Sequence, residues 1–128
     1  MVATGAAGPL SQPAAGTGGP VFTVPFTLTT AGFVHAMGYG ELELSAGAAC
    51  NGGTVMANKL LLMVDGNSVD SDTGFAPVTQ YGLSNSGTFG TDVWLSAGTH
   101  TLGINYDTGC DMSGTITMTN LHVEAVAY

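Results

Sequence analysis

The chain has 128 residues, of which 45% are hydrophobic and only 8% are charged. It contains nine Asp and Glu residues but a single Lys or Arg, Lys59, and its formal net charge is −8. Binding to nucleic acid or to an anionic membrane surface requires several cations, so this composition argues against both classes of partner. The length suits one domain, and the 20 glycines among many Thr and Ser residues favour strands and turns over helices.

The low charge fraction also bears on assembly, because an ordinary soluble chain has about 25% charged residues. With so few charges, the exposed surface must consist of uncharged polar groups or be covered by neighbouring subunits. We favour burial of this surface by neighbouring subunits, and we therefore expect a homo-oligomer, with a trimer as the predicted assembly.

The first twenty residues, MVATGAAGPLSQPAAGTGGP, contain one large apolar residue after Val2, Leu10, and three prolines. They lack the basic start and the apolar run of a secretory signal, so we expect synthesis in the cytoplasm without a signal peptide. Such a segment has no core of its own, and ordering it costs about 1 to 2 kcal/mol per residue in backbone entropy. We predict that residues 1–20 form an extended arm held by a neighbouring subunit, and that residues 21–128 form the folded domain.

After the arm, short segments of β character alternate with clusters of Gly, Asn, Asp and Ser. This regular spacing is typical of a β-sandwich or barrel. In chain order the predicted strands are 21–29, 33–40, 41–46, 55–64, 75–81, 88–95, 99–106 and 115–128.

Two-residue alternation indicates which side chains face the core. In strand 99–106, His100 is in phase with Leu102 and Ile104, and we expect it to be a partly buried strand histidine. The Asp65-Gly66 pair follows the apolar run LLLMV and favours the positive φ angles of a tight hairpin turn.

The last predicted strand changes phase along its length. Ile116 and Met118 alternate in one phase, whereas Leu121 and the apolar residues that follow it alternate in the other. An extra residue restores a common face, so the pattern predicts a β-bulge near Asn120.

Two stretches, VWLSAGTHTLGINY and GTITMTNLHVEAV, resemble the closing half of jelly-roll modules that are common in phage head and tail proteins and in carbohydrate-binding modules. NKLLLMVDGNSV resembles their central hairpin, and the resemblance covers residues 54–128. It implies an all-β fold, a single jelly-roll-like β-sandwich of about eight strands, to which the N-terminal arm is added. It leaves the ligand undetermined.

Four oxygen-bearing side chains within eight residues form a candidate metal site: Asp65, Asn67, Asp70 and Asp72. Calcium takes such ligands from flexible loops, so these four are a candidate calcium site. The alternative is a polar hairpin with no metal. We expect no other cofactor.

Cys50 and Cys110 both lie in glycine-rich segments just beyond predicted strands, in GAACNGGT and DTGCDMSG. That placement suits a loop-to-loop disulfide, which would close a loop of about sixty residues and add on the order of 4 kcal/mol. Cytoplasmic synthesis argues against early oxidation, whereas release into an oxidising exterior permits it later. We predict a disulfide between Cys50 and Cys110.

No catalytic set is evident in the sequence. His35, His100 and His122 have no close ligand spacing, and no nucleophile lies beside a base in a recognisable motif. Glu41 and Glu43 share one face of a strand and are interpreted as a solvated edge. We therefore predict that the protein is not an enzyme.

Two functions remain. The first is a viral structural protein on the virion surface, a capsid decoration (cement) protein of a bacteriophage that binds its own copies and the major capsid protein. The second is a carbohydrate-binding, lectin-like module of a tail fibre or a secreted enzyme, with a glycan as ligand. A sugar site would need an exposed aromatic platform, and Trp94, in a strand between Val93 and Leu95, is predicted to be core.

Overall fold

The computed structural model describes residues 2–15, 21–44, 49–50, 59–71, 84–107 and 111–128. These ranges form ten strands and contain no helix, and hence none that is long and apolar enough to cross a membrane. A large sheet contains β1 (Ala3–Ala7), β2 (Leu10–Ala15), β4 (Gly32–Leu44), β5 (Ala49–Cys50), β8 (Ser84–Leu95) and β10 (Asp111–Ala127). A small sheet contains β3 (Phe22–Leu28), β6 (Lys59–Val64), β7 (Asn67–Ser71) and β9 (Gly98–Asp107).

The strand order is that of a jelly roll. β6 pairs with β7, β4 with β8, β3 with β9 and β1 with β10, so each pair encloses the previous one along the chain. Further pairing gives the orders β1-β10-β4-β8 and β3-β9-β6-β7, and every pairing is antiparallel. The predicted fold class, an all-β sandwich of the jelly-roll kind, is confirmed.

β10 is the central strand of the large sheet. Along one edge it pairs with β1 and β2, and along the other with β4 and the two-residue β5. The predicted bulge is present, because the register with β4 shifts between Thr119 and His122, and Asn120 has a φ of 52°. Asn tolerates this left-handed conformation better than most residues do.

The N-terminal segment differs from expectation in its described part, residues 2–15. We expected another subunit to order it, but β1 and β2 are held by backbone hydrogen bonds to β10 of the same chain. Ala3 is buried, and Val2, Ala7 and Leu10 pack against the core. A paired strand gains backbone hydrogen bonds without needing large side chains, and these bonds help to offset the entropy cost of ordering the segment. Residues 16–20 lie outside the described ranges.

Other strands differ from the prediction in their bounds. Predicted strands 33–40 and 41–46 are a single strand, β4, because the Gly-Glu junction continues the ladder with β8 without interruption. β7 follows the Asp65-Gly66 turn and was not predicted, since NSVDS is polar and short. Predicted strand 75–81 lies outside the described residues, as do residues 55–58.

The core lies between the two sheets. Its fully buried side chains alternate along the strands as expected, and the bulge at Asn120 allows both halves of β10 to contribute. The largest apolar side chains that are fully buried are Leu60, Leu62, Leu102, Ile104, Ile116, Met118, Leu121, Val34 and Val123. The tight turn is also confirmed, because Asp65 and Gly66 have φ angles of 52° and 79°.

β1 lies so close to the small sheet that only glycine fits at its centre. A Cβ atom on Gly5 would overlap the side chain of Val24 in β3, with the ring of Phe22 3.1 Å away. Gly8, three residues later, has no atom within 4 Å of the corresponding position. Substitutions at Gly5 and Gly8 therefore distinguish a clash with β3 from a general effect of larger side chains in this segment.

We predict that Gly5→Val lowers the free energy of unfolding by about 1 to 3 kcal/mol, because overpacking forces the sheets apart. The control, Gly8→Val, should change it by no more than about 0.5 kcal/mol, as exposed substitutions usually do. Urea denaturation of both variants measures the difference. Equal effects would mean that β1 does not pack against β3.

Candidate functional site: the outer face of the large sheet

Three exposed aromatic side chains lie together on the outer face of the large sheet. Phe33 in β4 and Trp94 in β8 are register partners, and their rings meet edge to face with centroids 5.0 Å apart. The chain continues from β10 to Tyr128, whose amide donates to the carbonyl of Phe33 at 3.2 Å. Trp94 is 61% exposed, Phe33 50% and Tyr128 81%. We call these three residues the outer aromatic cluster.

Trp94 is the main correction to the sequence interpretation. It was predicted to be core, but alternation turns Leu95 inward, where it is 8% exposed, and Trp94 outward. Because neighbours in a strand point to opposite faces, the inward placement of Leu95 requires the outward placement of Trp94. The signal was therefore in the sequence.

A fixed carboxylate lies beside the cluster. Asp92 is two residues before Trp94 on the same face of β8, and its Oδ1 lies 2.7 Å from Nδ1 of His35 and 2.8 Å from the hydroxyl of Tyr128. Because an ionised carboxylate only accepts, both partners donate to it. The hydrogen bond from His35, then that from Tyr128, lowers the pKa of Asp92 below its usual value. The hydrogen bond between Tyr128 and Asp92 raises the pKa of Tyr128.

One depression borders the cluster, and a second lies farther along the same sheet. The first has a volume of about 460 Å³ and lies at the end of the sandwich. It is lined by residues 27–34, which include Phe33, and by Val2, Ala127 and Tyr128. The other, of about 450 Å³, lies farther along the outer face and is lined by His35, Met37, Gly90, His122 and Glu124, among others. Each is within the range of about 300 to 1,000 Å³ that is common for small-ligand sites.

The predicted calcium ligands do not converge in the described part of the chain. Oδ2 of Asp65 lies 2.7 Å from Nδ1 of His100, and its Oδ1 accepts a hydrogen bond from the amide of Thr101 at 2.9 Å. Asp70 instead accepts from the amide of Gly90 at 2.9 Å, joining the edge strands β7 and β8 of the two sheets. Asn67 donates to the carbonyl of Asp65 at 3.4 Å.

Asp72, the fourth predicted ligand, lies outside the described residues. Within the described ranges, no three His, Cys, Asp or Glu side chains are grouped closely enough to hold a metal ion. The geometry of Asp65 and Asp70 is that of turn and edge stabilisation.

The predicted disulfide concerns one described cysteine. Cys50 is in β5 and is the register partner of Met112 in β10. Cys110, two residues earlier in the sequence than Met112, lies outside the described residues. The disulfide stays a prediction. It is tested by the intact mass of the protein after alkylation, measured with and without prior reduction.

The three histidines contact three different carboxylates. His35 bonds Asp92, His100 bonds Asp65, and Nε2 of His122 lies 3.4 Å from Glu124. The three therefore do not converge on one metal site in the described part of the chain.

Glu41 is not on a solvated edge, because β4 lies between β10 and β8. Its carboxylate accepts from Tyr39, Thr119 and Asn120 at 3.0 to 3.2 Å. These bonds, with that of Tyr39 the largest cause, lower the pKa of Glu41. Glu41 thereby holds the bulge at Asn120.

His100 joins two turns at one end of the sandwich. Its side chain is 8% exposed, and its Nε2 lies 2.8 Å from the carbonyl of Ser96 while Nδ1 contacts Asp65. Both neighbours are acceptors, so the imidazolium form satisfies both. The bond to Asp65, then that to Ser96, raises the pKa of His100. Burial raises the pKa of Asp65, but its bonds to His100 and Thr101 outweigh burial and lower it.

We predict that this contact stabilises the protein at mildly acidic pH and weakens as pH rises. A raised His pKa contributes stability that is complete below the unfolded value and is lost as pH rises through the folded value. The stability difference between wild type and His100→Gln should therefore shrink as pH rises above about 6.5, the ordinary pKa of histidine. The matched control is His122→Gln, at a half-exposed histidine. A difference that is constant with pH would contradict a charged His100.

No protein-family model and no curated protein matches the chain. Among solved structures, the VP2 subviral particle of infectious bursal disease virus matches with a TM-score of 0.53 and 14% identity, over 99% of this chain and 33% of the VP2 chain. The sugar-binding C-terminal domain of EclA matches with a TM-score of 0.49 and 16% identity, over 97% of this chain and 81% of that one. A family 35 carbohydrate-binding module from an environmental isolate matches with a TM-score of 0.37 and 15% identity, over 98% of this chain and 94% of that one. At these identities the likeness to VP2 establishes the fold alone.

Proposed function

We propose that the chain is a non-enzymatic structural protein on the exterior of a virus particle. In this proposal it is a capsid decoration protein that stabilises the shell through contacts between its copies and with the major capsid protein. The observation that carries the proposal is the likeness of nearly the whole chain, 99% of it, to the jelly roll of a VP2 subviral particle. In this proposal the jelly roll itself serves as the surface unit.

The charge inventory supports the same function. A surface with one Lys or Arg and nine carboxylates makes few ion pairs of its own and suits burial against neighbouring subunits. It does not suit contact with packaged nucleic acid, which requires cations. The proposed position is therefore outside the shell.

In this assembly the described N-terminal segment does not cross to a neighbour, since β1 and β2 pair with β10 of the same chain.

The second function, a carbohydrate-binding module, is favoured by one specific observation. The outer aromatic cluster provides the exposed aromatic platform that a sugar site needs, beside a fixed carboxylate. Both functions are compatible with a domain on the outside of a particle.

Native mass spectrometry of the full chain at micromolar concentration tests the assembly. We predict a trimer of the 12.8 kDa chain, or a larger assembly of such units. Gold-labelled antibodies against the chain should also bind intact virus particles from the source, without prior disruption. A stable monomer, together with labelling only of disrupted particles, would contradict a decoration protein.

A further inference from the structure

We infer that the outer aromatic cluster and Asp92 form a binding site for an uncharged saccharide. The inference deepens the alternative function above and rests on it, but a subunit of a virion surface is free to carry the same site. The ligand is an uncharged saccharide, and its site is a surface to which the structural function assigns no role.

The aromatic rings supply the apolar half of such a site. The face of an aromatic ring carries negative charge density and attracts the partly positive C–H groups of a pyranose ring. Trp94 and Phe33 meet edge to face, so the two rings present surfaces in different directions while each fixes the other's position. Tyr128 extends the same surface. Exposure of three large aromatic side chains at one place costs solubility, which makes a binding role the economical explanation.

The polar half is Asp92. Its carboxylate is oriented by His35 and Tyr128, both bonded to Oδ1, and the side chain is 51% exposed. Among the described residues no hydrogen bond to Oδ2 is present, so within this part of the chain that oxygen keeps capacity to accept from a ligand hydroxyl. A carboxylate held rigidly about 7 Å along the strand from an indole suits a ligand that has hydroxyl groups beside an apolar face.

Charge excludes anionic ligands from this surface. Asp92 and Glu124 both lie on the outer face, the chain has a net charge of −8, and its only Lys or Arg is Lys59 in β6 of the small sheet. A phosphate, a sulfated sugar or an acidic sugar would meet these carboxylates with no Lys or Arg on the described part of this face to neutralise it. A neutral saccharide has no such penalty.

The same charges argue against a second copy of this surface as the occupant. A two-fold contact through the cluster would bring Asp92 and Glu124 of each copy close to those of the other in a partly desolvated interface. Like charges in such an interface destabilise it. The depression of about 460 Å³, which Phe33 and Tyr128 help to line, instead provides room for a sugar ring beside the cluster.

The chain offers a direct probe, because Trp94 is its only tryptophan. A panel of neutral methyl glycosides of galactose, glucose, mannose and N-acetylglucosamine, and their neutral oligosaccharides, is titrated while the fluorescence of Trp94 is recorded. We predict a saturable change with at least one member of the panel. Isothermal titration with that sugar then compares the variants.

Trp94→Ala should weaken binding about tenfold or more, since the sugar loses both the apolar area buried on the indole and the contact with the face of the ring. Asp92→Asn should weaken it about fivefold, because a charge-assisted hydrogen bond becomes a neutral one. Trp94→Tyr should retain most of the affinity and shows that the fold is intact. Thr99→Ala, at an exposed position of the small sheet, is the matched control and should have no effect.

Three outcomes would overturn the inference. One is the absence of any binding from the whole panel at millimolar concentration, and another is full affinity in Trp94→Ala. The third is dissociation of the native oligomer by Trp94→Ala, which would make the cluster a contact between subunits. All three leave the proposed particle function standing, because oligomer formation and antibody labelling of particles test that separately.

Discussion

Pairing along β10 is the constraint on which the rest of the large sheet depends. This strand of 17 residues joins β1 and β2 on one edge to β4 and β5 on the other, so its phase decides which side chains of four strands face the core. Side chains alternate with a period of two, and a shift of one residue would exchange the inner and outer faces. The bulge at Asn120 is that shift, and a second register irregularity, with β2, lies between Asp111 and Thr115.

The bulge also positions the outer face. Because of it, Leu121, Val123 and Ala125 face the small sheet, and His122, Glu124 and Val126 face outward. The pairing of Val126 with His35 then brings the end of the chain beside β4, where Tyr128 reaches Asp92. Glu41 holds the bulge from the neighbouring strand, so a polar contact in the middle of the sheet supports an aromatic surface at its end.

Much of this architecture could be predicted from the sequence. Alternation identified the buried face of β9, the phase change identified the bulge, and the Asp-Gly pair identified the hairpin turn. Ordering of residues 2–15 was not predicted correctly, because small side chains give no apolar pattern and the partner strand is more than a hundred residues away. The site was missed for a different reason. General frequencies favoured a buried Trp94, whereas the alternation around it already placed it outside.

Backbone pairing of β1 with β10 within one chain is the central claim of this account, and amide hydrogen exchange of the full chain tests it most directly. With the protein diluted until it is monomeric, amides of β1 that bond to β10 should exchange as slowly as those of β10 that bond to β4. Rapid exchange across Ala3–Ala7 while β10 stays protected would contradict the account. It would mean that the N-terminal segment is held by another subunit.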